Sequence, residues 1–373
     1  MDEKKIKVMT VFGTRPEAIK MAPLVKVMEN SEKIDHRTCV SAQHRDMLDQ
    51  VLDIFNINPD FDLDIFEHGQ SLTQITSRTM EGMEGVFKTF EPDIILVQGD
   101  TTTVFSGALV GFYHKIKIGH IEAGLRSGNL MSPYPEEANR KLTGVITNFH
   151  FAPTKESKEN LLKEGYDEKL IHITGNTVID ALFEVIDDEY KFEDKFLKDI
   201  NFNNRILLLT AHRRENLGRP MENIFKAVKR IVEEHEDVEL IYPVHLNPKV
   251  RKIADNILKD VNRVHLIEPL DYVPFANLMN KSHIIVTDSG GIQEEAPSLG
   301  KPVIVVRKET ERPEGIKAGT AKLAGTDEKN IYKILNDLLN NQNSYKKMAN
   351  AVNPYGDGKS ANRIKNIILK SLL

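Results

Sequence analysis

The chain has 373 residues, 40% of them apolar, a formal net charge of -5 and a single cysteine, Cys39. Its length predicts about two domains of the usual ~150 residues, and its apolar share suits an ordinary folded core. Interspersed charges without a basic tract exclude a nucleic-acid footprint, and one cysteine excludes a disulfide framework or a cysteine-rich zinc site. The first residues, MDEKKIKVMTVFG, pass from charge straight into an apolar run, with no signal-peptide region. No apolar run nears the ~20 residues of a membrane span, so the expectation is a soluble, cytoplasmic protein with no membrane partner.

Short apolar runs alternate with segments of helical period. The spacing predicts strands over 6–12 and 37–41 around a helix over 16–29, then a helix over 72–90 and a strand over 93–97. A helix over 102–114, a strand over 117–121, a helix over 136–147 and strands over 149–152 and 171–174 follow. After a charged stretch at 191–195 the pattern restarts, with strands at 206–209, 239–243, 263–267, 284–287 and 302–306. Alternation of this kind argues for βαβ units and parallel sheets, hence two doubly wound domains with a boundary near 176–200. A structure-breaking stretch, 353–358, precedes a last helix over 360–372 that closes the second domain or braces the first. Open α/β sheets bind ligands beyond the carboxyl ends of their strands, so two facing sheets would hold one in the cleft between them.

The polar clusters fall just after the apolar runs. The stretch DSGGIQEEAPSLGKP follows the strand over 284–287. Ser289, Gly290 and Gly291 form a glycine turn whose amides and following helix suit an anion, and Glu294 and Glu295 lie one turn in, in reach of a ribose diol. Gly13-Thr14-Arg15-Pro16 opens another helix, with Arg15 and Lys20 able to face an anion. It lacks the GxGxxG spacing of a dinucleotide fold, so no nicotinamide cofactor is expected. Asp100 in QGDTTT has a helix N-cap as its competing role. Alternation places His120 and Glu122 on one face of a strand end, and without a Cys-x-x-Cys partner they do not make a zinc deaminase. Glu136 and Arg140 have the i,i+4 spacing of a pair. Asp100, Glu122 and Glu136 together offer a base and an acid at a sugar carbon. In the second half His212, His245 and Arg312 also follow strands, Arg312 as a phosphate candidate. Asp60, Asp62 and Asp64 mimic a metal-binding DxD but read as a polar strand face, and no metal is expected.

GTRPEAIKMAPL, QGDTTT, HIEAGLRSGN, PYPEEANR, GNTVIDAL, TAHRREN, PVHLNP, DSGGIQEEAPSLGKP and ERPEG occur in this order along nearly the whole chain. Together they resemble the non-hydrolysing UDP-N-acetylglucosamine 2-epimerase family. The resemblance implies a glycosyltransferase-B architecture of two Rossmann-like domains facing across a cleft, residues 1–177 and 178–357, with the helix over 358–373 returning to the first. It implies a homodimer, no cofactor, and interconversion of UDP-N-acetylglucosamine and UDP-N-acetylmannosamine for surface polysaccharide or glycan synthesis. Position by position it makes Arg15, Lys20, Asp100, Glu122, Glu136 and His212 the catalytic set or its support. Ser289, Gly290, Gly291, Glu295 and Arg312 match UDP-binding positions, and Phe275 one lining the uracil. Gln43 and His245 match parts of a second, activating UDP-N-acetylglucosamine region. The implied chemistry is anti elimination of UDP to 2-acetamidoglucal and re-addition, with Asp100 and Glu136 leading for the two faces. A glycosyltransferase, a hydrolysing epimerase or a non-catalytic nucleotide-sugar sensor are the competing readings.

Overall fold

A computed structural model describes residues 5–373. The chain divides into two compact units, one running to Glu184 and recovering Tyr355–Leu373, the other comprising Val185–Pro354.

In the first unit the elements run β1 (Ile6–Phe12), α1 (Arg15–Glu29), β2 (Ile34–Val40), α2 (Arg45–Phe55), β3 (Phe61–Asp62), α3 (Leu72–Phe87), β4 (Ile94–Gln98) and α4 (Thr102–Tyr113). They continue with β5 (Lys117–Ile121), α5 (Glu136–Ile146), β6 (Phe149–Ala152), α6 (Lys155–Lys163), β7 (Ile171–Ile173) and α7 (Thr177–Val185). All seven strands are parallel, in the order β3-β2-β1-β4-β5-β6-β7. Helices on both faces bury the central strands on both sides, which is why β4 reads Ile-Ile-Leu-Val with no alternation. Met9, Val11, Ile95 and Val97 meet Val104, Ala108 and Val110 of α4 in one core.

The second unit contains β8 (Arg205–Thr210), α8 (Arg219–Glu234), β9 (Val238–Pro243), α9 (Pro248–Leu258), β10 (Val264–Ile267), α10 (Tyr272–Lys281), β11 (Ile284–Thr287) and α11 (Gly290–Glu295). It closes with β12 (Val303–Val305), α12 (Pro313–Ala318), β13 (Ala321–Leu323), α13 (Glu328–Asn340) and α14 (Gln342–Ala349). Its six parallel strands lie in the order β10-β9-β8-β11-β12-β13. Each unit is therefore a doubly wound, Rossmann-like α/β domain. The chain reverses direction between β1 and β4 in one and between β8 and β11 in the other, and such switch points are where open sheets take ligands.

The last helix, α15 (Ser360–Leu372), packs on α1 of the first unit and buries Ile364 and Ile368. The changeover falls after Glu184 rather than 177 because α7 stays with the first unit. Asp180 of α7 accepts the amide N–H groups of Ser360 and Ala361 at 3.1 and 2.9 Å. The return begins at Tyr355, whose carbonyl accepts the Asn176 N–H at 2.6 Å. Among the described residues no helix is long and apolar enough to cross a membrane.

Candidate functional site

In the first unit the turns after β1 and β4 meet at the switch point. A Cβ on Gly13 would stand 1.9 Å from Ser41 Oγ and 2.8 Å from Thr103 Oγ1, so only glycine fits beneath these hydroxyls. Thr103 in turn donates to Gln43 Oε1 at 3.0 Å. Beyond Gly13, Arg15 and Pro16 form the first turn of α1, with the Arg15 side chain exposed. Lys20, the next turn along, places its ammonium 2.5 Å from Glu122 Oε2, which also accepts from Gln98 Nε2. The expected strand alternation of His120 and Glu122 does not hold. β5 ends at Ile121 and Glu122 adopts a left-handed φ of 64°. A non-glycine residue there costs on the order of 1–3 kcal/mol, a strain that the two hydrogen-bonded partners hold in place.

Asp100 is not the cap of α4. Thr101 takes that role, its hydroxyl accepting the Val104 N–H at 3.3 Å. The Asp100 carboxylate is held instead through Oδ2 by Arg140, whose Nε and Nη2 lie 2.9 and 2.6 Å away. The pairing of Arg140 with Glu136 is likewise replaced. Arg140 Nη1 donates at 3.0 Å to Glu137 Oε2, three positions back, while Glu136 Oε2 is buried without a hydrogen-bond partner. Glu136 thus stands at the start of α5 with acceptor capacity unspent, and Asp100, bound by Asn139 and Arg140 of the same helix, keeps Oδ1.

Two buried groups set the electrostatics around them. Glu17 is 2% exposed, and burial pushes its carboxyl up to about 7 against the pull of its bonds to Thr14, Thr101 and Gly13. Its Oε1 accepts the Thr101 hydroxyl at 2.8 Å and its Oε2 the Gly13 N–H at 3.2 Å, joining the two turns. His120 sits 2.7 Å from the Gly99 carbonyl through Nε2, and burial lowers it to about 4, so it is neutral near pH 7.

In the second unit Asp288, fully buried, organises the turns after β8 and β11. Its Oδ2 accepts the N–H groups of His212 and Arg213, each at 2.9 Å, and Asn216 Nδ2 at 3.1 Å; His212 Nδ1 lies 3.1 Å from Oδ1. Burial raises its pKa, but these bonds outweigh it and hold the carboxyl below its usual range, so Asp288 orients His212 as an anion. The His212 ring stacks on His245 at 5.5 Å, and His245 Nδ1 accepts the Asn247 N–H at 3.1 Å. Burial and the neighbouring His212 lower His245, and Nδ1 acting as acceptor assigns the proton of the neutral ring to Nε2.

Ser289 precedes α11, which begins at Gly290, two residues ahead of the expected start, and its side chain makes no capping bond. Gln293 fixes the turn, donating to the Ser289 carbonyl at 3.1 Å and accepting from Thr310 at 2.6 Å. A Cβ on Gly290 would meet nothing within 4 Å, so open space lies over this turn. Arg312 is held by Glu294 through Nε, which gives Glu294 an ion-pair role, and Glu295 is 8% exposed. Phe275 is half-buried in α10.

The first unit thus collects Arg15, Lys20, Gln43, Asp100, Glu122 and Glu136, and the second His212, His245, Phe275, Ser289, Gly290, Gly291, Glu295 and Arg312. Asp62 and Asp64 pair with Arg45 at 2.7 and 2.8 Å, and Asp60 accepts the Thr38 N–H at 2.8 Å. They are exposed and ion-paired on and beside the two-residue edge strand β3, in keeping with the expected polar strand face. Among the described residues no cluster of three His, Cys, Asp or Glu is placed to hold a metal. A cavity of about 960 Å³, lined by Lys7, Asp93 and Lys117 among others, lies at the amino ends of β1, β4 and β5, opposite the switch point, and contains none of these groups. Sequence reasoning missed Glu17, Glu137, Arg140 as the Asp100 partner, and Asp288. Asp288 and Glu137 adjoin residues that were singled out, and for Asp288 a charged residue directly after the apolar run 284–287 was the available signal.

Three comparisons bear on these residues. A family model described as UDP-N-acetylglucosamine 2-epimerase matches residues 26–369. UDP-N-acetylglucosamine 2-epimerase of Bacillus subtilis is 58% identical over 366 residues, covering 98% of this chain and 96% of its own, and that of Escherichia coli K12 is 51% identical, covering 96% and 97%. The crystal structure of the Neisseria meningitidis UDP-GlcNAc 2-epimerase bound to UDP-GlcNAc superposes with a TM-score of 0.85 at 49% identity, covering 98% of this chain and all of the other.

Proposed function

The chain belongs to the UDP-N-acetylglucosamine 2-epimerase family, and on that premise we propose that it interconverts UDP-N-acetylglucosamine and UDP-N-acetylmannosamine without hydrolysing either. The C2 proton of the sugar has no adjacent carbonyl, so a carboxylate removes it only as the C1–O bond to UDP breaks and positive charge develops at C1. Stabilising the departing diphosphate comes first. The Ser289 N–H is spent on Thr287 Oγ1 at 2.9 Å, so the Ser289 hydroxyl, the Gly290 and Gly291 amides, Arg312 and Arg15 are the groups assigned to it, with His212 oriented by Asp288 at the switch point of the second sheet. One preorganised donor of this kind is worth ~3–4 kcal/mol.

Asp100 and Glu136 then serve the two faces of C2: one takes the C2 proton, the other, protonated from solvent, delivers its own proton to the opposite face of 2-acetamidoglucal, and exchange with solvent resets both. Re-addition of UDP at C1 completes the turnover, and no redox step is involved. Glu122, bound by Lys20 and Gln98, tunes the pair. The observation that carries this reading is the Asp100 carboxylate held by Arg140 at the β1/β4 switch point while Thr101 does the capping, which leaves Asp100 no structural duty as a cap.

Proton NMR of UDP-N-acetylglucosamine with the protein in deuterated solvent tests it. The manno isomer should appear with deuterium at C2, and Asp100→Asn should lower turnover by roughly two to four orders of magnitude, the worth of a positioned base, with UDP binding nearly intact. Free N-acetylmannosamine with UDP would mean a hydrolysing enzyme, and no manno product at all would overturn the reading. The proposal extends to a cytoplasmic homodimer. Phe112 and Tyr113 on α4 and Leu142 and Val145 on the adjoining α5 are exposed apolar residues suited to a second copy, and light scattering at assay concentration reads the mass.

A further inference from the structure

Glu137 is a fully buried carboxylate, 0% exposed in the first turn of α5. Its Oε2 accepts the Ser127 N–H at 3.0 Å and its Oε1 the Gly128 N–H at 3.1 Å. Oε2 also accepts Arg140 Nη1 at 3.0 Å. Arg140 turns its other edge the opposite way, with Nε and Nη2 at 2.9 and 2.6 Å from Asp100 Oδ2. One guanidinium is therefore shared between a sealed carboxylate and one that is 25% exposed at the switch point.

We propose that Glu137 is a positioning residue for proton transfer: it holds Arg140 against Oδ2 of Asp100, so that Oδ1 exchanges the proton. The inference rests on Asp100 being an acid/base of the reaction. In the step concerned the C2–H bond breaks and an O–H bond forms at Oδ1, the electron pair becomes the C1=C2 bond, and the C1–O bond breaks as UDP leaves. An arginine paired with one carboxylate favours its anion strongly, by about 1–3 pH units, and makes it a weaker base. Sharing the cation with a second, buried carboxylate reduces that effect while keeping both N–H contacts on Oδ2.

Besides Glu136 in the same first turn of α5, the other charged groups near Asp100 come from β5, the segment after it and α1. His120 at the end of β5 is neutral near pH 7, Glu122 beyond it is bound to Lys20 of α1, and Glu17 reaches the next residue through the Thr101 hydroxyl. Arg126, after β5, is bound to Glu164 at 2.8 Å. All of these remain in a Glu137 variant, so a change in pH dependence reports the Glu137–Arg140–Asp100 chain.

The test is the pH profile of kcat in Glu137→Gln and Arg140→Gln, with KM for UDP-N-acetylglucosamine measured alongside. In Glu137→Gln the unshared cation should move the acid limb down by about one pH unit. Plateau kcat should fall roughly tenfold as the base weakens, with KM within about twofold. Glu137→Asp should return the limb toward its original position. Arg140→Gln should move the limb in the opposite direction, to higher pH, and this arm decides the matter if Glu137→Gln does not fold. Unmoved limbs, or a rise in KM with an unshifted profile, would reduce Glu137 to a loop-closing residue and overturn the proposal. If the wild-type protein gives no manno product in the NMR assay, the proposed function has failed instead, and the two failures are distinguishable.

Discussion

Glu17 shows how a residue in an ordinary helix start takes on a second role. Its position, third in α1, suits a carboxylate that reaches back to the preceding amides, and it does so at Gly13. Unlike a surface cap it is sealed from water, and desolvation outweighs its hydrogen bonds, raising the carboxyl from 4.5 to about 7. The folded protein therefore keeps a proton that the unfolded chain releases above pH 4.5. Its contribution to stability is fully present below that pH and is lost as pH rises toward 7, by an amount on the order of 3 kcal/mol. Glu17→Gln removes the titration, so urea unfolding at pH 5 and pH 8 should show the variant gaining on the wild type at the higher pH. An equal difference at both would sink the assignment. At this scale the sequence was a partial guide. Asp100, Glu122 and Glu136 were legible as carboxylates after apolar runs. Which of them holds which cation was not, because Arg140 lies 40 residues from Asp100 and Lys20 lies 102 from Glu122.

Elements follow more directly from local pattern. The strands expected at 6–12, 117–121, 149–152 and 284–287 and the helix at 360–372 have those bounds, since continuous apolar runs flanked by turns leave little choice. The edge strands β3 and β13 escaped because two or three residues carry no period. The helix α2 was legible but passed over: Leu48, Val51, Leu52 and Phe55 follow the i, i+3, i+4, i+7 spacing. Docking of α15 is set by an element pair that sequence spacing does not reveal. Asp180 of α7 receives the first amides of α15 across 180 residues of chain. Burial raises its carboxyl and the two amides only partly offset this, yet removing it strands two buried donors. Asp180→Ala should therefore destabilise the first unit by about 2 kcal/mol and expose the segment from Tyr355 onward to protease, as limited proteolysis with mass spectrometry would read. Wild-type resistance in the variant would mean that the α1–α15 packing alone holds the helix.

Across the whole molecule, two sheets of the same winding carry opposite chemistry at their switch points, carboxylates in one and an open amide turn with histidines in the other. That division was readable because each motif follows an apolar run. The acid sensitivity built into it was not, because it depends on burial. His36 and His120 in the first sheet are lowered by burial to about 4, and His150 to about 3, where His120 and Arg126 add to the effect. His150 is fully buried, and neither ring nitrogen has a hydrogen-bond partner; Tyr166 packs on the ring at 4.8 Å. The unfolded chain takes up a proton on each of these rings as pH falls below 6.5, and the folded state refuses it. Stability is whole above 6.5 and is lost progressively down to about 3, with His150 alone responsible for about 2 kcal/mol by pH 5. His150→Leu keeps the volume apolar and removes both orphaned nitrogens. Urea midpoints should then fall less between pH 7 and pH 5 in the variant than in the wild type, by the equivalent of that ~2 kcal/mol. The same fall in both proteins would show that His150 does not sense the pH, and would place the acid sensitivity on the two rings that do have partners, His36 bonded to Thr10 and His120 bonded to the Gly99 carbonyl.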